Sequence, residues 1–170
     1  MRSGALVILG LSSEDWGPCY TDNFTHAKFS AKWRGTVACP NEADLIAAET
    51  SANRIALRAV VSAKRYAVEV AGINFTHRTV PTPVSTSRDT RASMIGAYTK
   101  AKEGRWVAAP ATEKPFKFGD GKFRPATTQE VIDIYLAVEL HVDVCYNVEA
   151  KKLAEIDATG TTDINTGWLT

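Results

Sequence analysis

Apolar residues recur between Asn41 and Val70 with a helical period: Leu45, Ala48, Ala52, Ile55, Ala59, Ser62 and Tyr66 follow one another at spacings of 3, 4, 3, 4, 3 and 4. This is a heptad seam about three repeats long, on a helix of roughly 40 Å. Asn41 stands where an N-cap is needed, Glu42 and Asp44 lie at the positive end of the helix dipole, and Gly72 supplies the stop. A second stripe, Ile46, Leu57, Val60, Val61 and Val68, means that more than one face seeks burial. Two arrangements meet that demand: packing of the helix on its own domain, or an intermolecular bundle or coil through the seam.

After Gly72 the pattern changes to alternation. Ile73-Asn-Phe-Thr-His-Arg-Thr-Val reads as a short strand pair, stopped by Pro81 and Pro83. Ser85 to Asp89 offers N-caps for a second helix bearing Ala92, Ile95, Tyr98 and Ala101 and ending at Gly104. Phe116 to Arg124 is a hairpin around Gly119-Asp120-Gly121, whose glycines supply the positive φ a tight turn requires, and Phe116, Phe118 and Phe123 seek a surface to cover. Thr127 and Glu130 have capping-box spacing. The third helix they open carries Val131, Ile134, Val138, Val142, Cys145, Leu153 and Ile156 and stops before Gly160, and the segment from Asp163 reads as a docked extension around Trp168.

The expected class is α+β: a long helix in the N-terminal half, small β-hairpins and a C-terminal helical bundle, preceded by an irregular or β-rich arm. The expected divisions are the arm at 1–40, the long helix at 41–71 and a small domain at 72–170. The arm holds Trp16, Trp33, Phe24, Phe29 and Tyr20 among turn formers without a clean period.

At 170 residues the chain is long enough to bury a core without metals or disulfides. The longest apolar run, Ala5 to Leu9, is far too short to span a membrane, and without a small-x-small cleavage pattern after it a strand is the preferred reading over a signal peptide. Synthesis in the cytoplasm is expected. With 20 basic and 19 acidic side chains scattered along the chain, no region concentrates the charge that nucleic acid binding requires. The three cysteines, Cys19, Cys39 and Cys145, are odd in number and widely spaced, unlike a secreted disulfide framework, and Cys145 reads as a buried thiol.

Candidate chemistry is thin. No Gly-x-Ser-x-Gly elbow or phosphate-binding loop occurs, and Gly119-Asp-Gly-Lys122 is a turn. Cys19, His26 and Cys39, separated by seven and thirteen residues, lack the close ligand pairs of structural zinc sites. The tetrapeptide Asn-Phe-Thr-His occurs at 23–26 and at 74–77, and both copies match the N-glycosylation acceptor pattern. Their flanks do not align, so they mark no internal repeat. No cofactor follows from these residues. A small hydrolase using His26 or His77 as base is the enzymatic alternative.

From about Ala52 to Trp168 the chain resembles a domain of uncharacterised function found in tailed-bacteriophage tail-fibre and baseplate-associated proteins. The resemblance is carried by Ala71-Gly-Ile-Asn-Phe, Ser87-Arg-Asp-Thr-Arg-Ala-Ser, Asp120-Gly-Lys-Phe, Leu140-His-Val-Asp-Val-Cys-Tyr-Asn-Val-Glu149, Ile156-Asp-Ala and the closing Gly167-Trp168. Pro81 and Pro83, and the Pro-rich segment from Val107 to Pro115, depart from the pattern. The resemblance implies a structural, non-enzymatic component of the virion tail, assembling with other tail proteins and with copies of itself. A tail-fibre assembly chaperone absent from the mature particle is the alternative in the same setting. The candidate interface is the seam Leu45, Ala48, Ala52, Ile55, Ala59, Ser62 and Tyr66, with Trp16, Trp33 and Trp168 as aromatic anchors. Core packing is the competing role for each tryptophan.

Overall fold

The computed structural model describes Ser30, Trp33 and residues 38–169. Helix α1 spans Glu42–Glu69, strands β1 (Ile73–His77) and β2 (Val80–Val84) form a hairpin, α2 spans Arg88–Lys102, β3 (Glu113–Lys117) and β4 (Phe123–Thr127) form a second hairpin, and α3 spans Thr128–Thr159. Each hairpin is a separate two-stranded antiparallel sheet. The class is α+β. The chain divides into one compact unit of residues 1–60 and 153–162 and another of residues 61–152 and 163–170.

Local chemistry sets the helix ends. Asn41 Oδ1 accepts the Asp44 N–H at 2.8 Å, the N-cap bond of α1. Ser87 Oγ accepts the Thr90 N–H at 3.3 Å and opens α2. That helix closes in a Schellman pair: Gly104, at φ +68°, donates to the Ala101 carbonyl, and Arg105 donates to that of Lys100. At the start of α3 the capping box is complete, with the Thr127 N–H on Glu130 Oε2 at 2.7 Å and the Glu130 N–H on Thr127 Oγ1 at 3.2 Å. Gly160, at φ +78°, ends it by donating to Ile156.

Pro81 and Pro83 do not stop the first hairpin; they lie inside β2, facing Thr76 and Asn74. Arg78 and Thr79 both adopt positive φ, the form a two-residue turn needs, so His77 and Val80 next to it form a hydrogen-bonded pair. Alternation then puts both prolines at positions whose N–H would point away from the partner strand, and no ladder bond is lost. The outward Pro83 carbonyl accepts the Gly119 N–H at 2.7 Å, tying the second hairpin's turn to the first. Pro115 and Pro125 face each other in the second hairpin by the same logic, because Phe118 bonds to Lys122 and the pairing alternates from there.

The core of the unit 61–152 gathers Val84, Met94, Trp106, Phe116, Phe118 and Ala126 against Val131, Ile134 and Val138 of α3. Burying each large aliphatic or aromatic side chain contributes on the order of 1.5–3 kcal/mol. Trp106 stacks edge-on to Phe116 at 6.3 Å and donates its indole N–H to the Ala126 carbonyl at 3.3 Å. Tyr98 stacks on Tyr135 at 4.2 Å. The inward face of α2 is Met94, Ala97 and Ala101, whereas Ala92 and Ile95 are exposed, a shift of the face expected from spacing alone. Phe123 is 68% exposed because it pairs with Lys117 on the outer face of its hairpin.

In the unit 1–60 and 153–162, Leu45, Ala48 and Ile156 are buried. Arg58 pairs with Asp157 there, and the Thr162 hydroxyl donates to Glu155. Among the described residues no helix is long and apolar enough to cross a membrane.

Candidate functional site

The last turn of α1 is capped by side chains from other elements. Thr86 Oγ1 donates to the Glu69 carbonyl and accepts the Gly72 N–H at 3.0 Å, so one hydroxyl satisfies the helix end and the turn that follows. His141 of α3 places Nε2 3.1 Å from the Val68 carbonyl, to which it donates in the Nε2–H tautomer. Cys145 Sγ lies 3.9 Å from the same nitrogen, and burial raises its thiol pKa against the opposing pull of Arg65. The expectation of a buried thiol at Cys145 is met.

An ion-pair network holds the three helices of this unit in register. Glu69 is fully buried, at 0% exposure, and is gripped by Arg65 of its own helix and Arg91 of α2. Arg65 also reaches Glu149 of α3 at 3.1 Å and lies over the Tyr146 ring at 4.6 Å. Two guanidiniums and two carboxylates compensate one another, which is the condition under which such charges tolerate removal from water.

These contacts frame a groove of about 1030 Å³, walled by the end of α1, the start of β1 and the middle of α3. Its lining is dominated by Ala67, Val68, Val70, Ala71, Ile73, Pro83, Val84, Ala137, Leu140, Val144 and Leu169, with Lys64, Asn74, Ser85 and His141 as its polar side chains. No carboxylate among the described residues lines it. Among the described residues no carboxylate oxygen lies within 4.0 Å of the Lys64 ammonium. A volume of this size suits a drug-sized ligand or a few residues of peptide.

A second polar cluster surrounds the first hairpin's turn. Arg78 pairs with Glu113 and, at 3.1 Å, with Glu130. Burial pushes the Glu130 carboxyl up, but Arg78 together with the Thr127 amide and hydroxyl outweighs it and holds the pKa at about 2. His77 is buried beside Phe118, ring centroids 5.0 Å apart, with Nε2 3.4 Å from Glu130 Oε1 but outside hydrogen-bond geometry. Phe75 packs against the core.

Of the candidate interface residues, Leu45 and Ala48 are buried, Ala52 and Ser62 half-buried, and Ile55, Ala59 and Tyr66 exposed. Trp33 is half-buried. Trp168 is half-buried, its indole N–H on the Ile164 carbonyl at 2.7 Å and the Lys152 ammonium 5.8 Å from its ring. Trp16, and with it His26, Cys19 and the first Asn-Phe-Thr-His copy, lies outside the described residues. The groove's polar side chains were not legible as a site, because Lys64, Asn74, Ser85 and His141 share no spacing pattern and meet only through the packing of α1, the hairpin and α3.

Among the described residues three helices and two hairpins make an α+β class of molecule, with an apolar groove in the unit of residues 61–152 and 163–170. The chain belongs to the family described as a domain of unknown function, DUF4376, whose model matches residues 52–166. No curated protein and no solved structure matches the chain.

Proposed function

We propose that this protein is a structural component of a tailed-bacteriophage tail, at the fibre attachment, baseplate or adjoining tail, and that it acts by protein–protein assembly. Its place is the virion tail, its partners other tail proteins and further copies of itself. The observation that supports this reading is the exposure of large apolar groups at heptad positions of α1: Ile55 is 59% exposed and Tyr66 46%, with Ala59 exposed between them in sequence. Side chains of this kind recurring at seam spacing are what a helix partner buries, and the small residues Ala52, Ala59 and Ser62 admit close approach.

The test has two parts. Sedimentation velocity of the purified chain is expected to show self-association that Ile55→Glu and Ala59→Glu each weaken. Mass spectrometry of purified virions is expected to find the chain as an abundant component. Peptides absent from the particle would turn the reading toward an assembly chaperone. A strict monomer that binds no tail protein would overturn assembly altogether.

A further inference from the structure

We infer that the groove at the end of α1 is a docking site for an extended, apolar segment of a partner protein that carries one acidic side chain. Backbone, wall and charge support the assignment independently, and none rests on the phage setting or on the heptad seam.

The backbone argument concerns β1. Because Ile73, Phe75 and His77 form the hydrogen-bonded pairs with β2, the N–H and C=O groups of Asn74 and Thr76 point away from it. The outer edge of β2 is engaged by Gly119, whereas among the described residues nothing hydrogen-bonds the outward backbone groups of β1. An open strand edge is a template for a further strand, and Asn74 lines the groove, so a segment pairing there would run along its wall.

That wall presents Ala67, Ala71 and Ala137 with Leu140 and Val144, small and branched apolar groups that leave room for alternate side chains of such a strand. Charge then selects the occupant. The Val68 and Glu69 carbonyls of the helix end are already taken by His141, Ala71 and Thr86, so they do not repel an anion as free carbonyls would. Among the described residues Lys64 is left as an unpaired ammonium, half-buried at an apolar surface without a carboxylate in its lining. An Asp or Glu on the incoming strand meets it there, and a Lys or Arg is excluded by like charge.

Two fluorescently labelled octapeptides of alternating valine and threonine, identical except for a central Asp or Lys, test this by anisotropy with the full chain. The Asp peptide is expected to bind at least about tenfold more tightly. Lys64→Glu should invert the preference and Lys64→Gln abolish it, while Ala137→Trp, which fills the groove, removes binding of both. Ile55→Glu should leave the titration unchanged, so failure here is separable from failure of seam-mediated assembly. Equal affinities, a preference that survives both Lys64 variants, or no binding of either peptide at millimolar concentration would each overturn the assignment.

Discussion

Glu130 joins the capping box of α3 to the charges at the first hairpin's turn, and Glu130→Gln separates its two roles. A glutamine still accepts the Thr127 N–H, so the cap persists, while the charge opposite Arg78 disappears. The carboxyl pKa falls from an ordinary 4.5 to about 2 in the folded state. That difference corresponds to a ceiling of about 3 kcal/mol. Arg78 is 44% exposed, so solvent screens the pair. Roughly 1–2 kcal/mol is the expected contribution after that discount. A depressed carboxylate stabilises the fold fully above its unfolded pKa, and the contribution drains away as pH falls from about 4.5 through about 2. Urea unfolding of the natural and Gln proteins over this range is the assay. The stability difference between them should be present at neutral pH and shrink steadily through that window. A difference that is absent at neutral pH, or constant down to the lowest pH, would refute the reasoning. Glu130→Ala should cost about 1 kcal/mol more, from loss of the cap.

Further perturbations probe the scaffold of this unit. A Cβ on Gly119 would sit 2.9 Å from the Pro83 carbonyl oxygen and 3.0 Å from the Ser85 nitrogen, both backbone atoms, so Gly119→Ala should destabilise by roughly 1–3 kcal/mol in chemical denaturation. Gly96, inside α2 with nothing within 4 Å of its added Cβ, should by contrast gain roughly 0.5–1 kcal/mol on change to Ala. Glu69→Ala strands Arg91 and leaves Arg65 with Glu149 alone, and should cost roughly 3–5 kcal/mol, whereas replacing Glu69, Arg65, Arg91 and Glu149 together by leucine or methionine should fold at near-native stability.

Local signals in the sequence determined the elements of the fold. The Asn41 cap, the Thr127–Glu130 box and the stops at Gly104 and Gly160 all work within a few residues of chain, so their physics is complete without a partner, whereas the end of α1 at Gly72 is completed by Thr86 and His141. The buried stripe of α3 was legible for the same reason, since Val131, Ile134, Val138, Val142, Cys145 and Ile156 declare it by period alone. Tertiary structure decided faces and meetings. Which phenylalanines of the second hairpin turn inward depends on register: with Lys117 opposite Phe123, Phe116 and Phe118 face the core and Phe123 faces out. Proline marks the end of a strand only if its N–H position faces a neighbour, and at Pro81 and Pro83 the turn geometry settles that it does not. The groove belongs wholly to this second kind of information: Lys64, Asn74 and His141 carry no mutual pattern in the chain, and they become neighbours because the Glu69 network and the Thr86 bridge hold the helix end against the hairpin and α3.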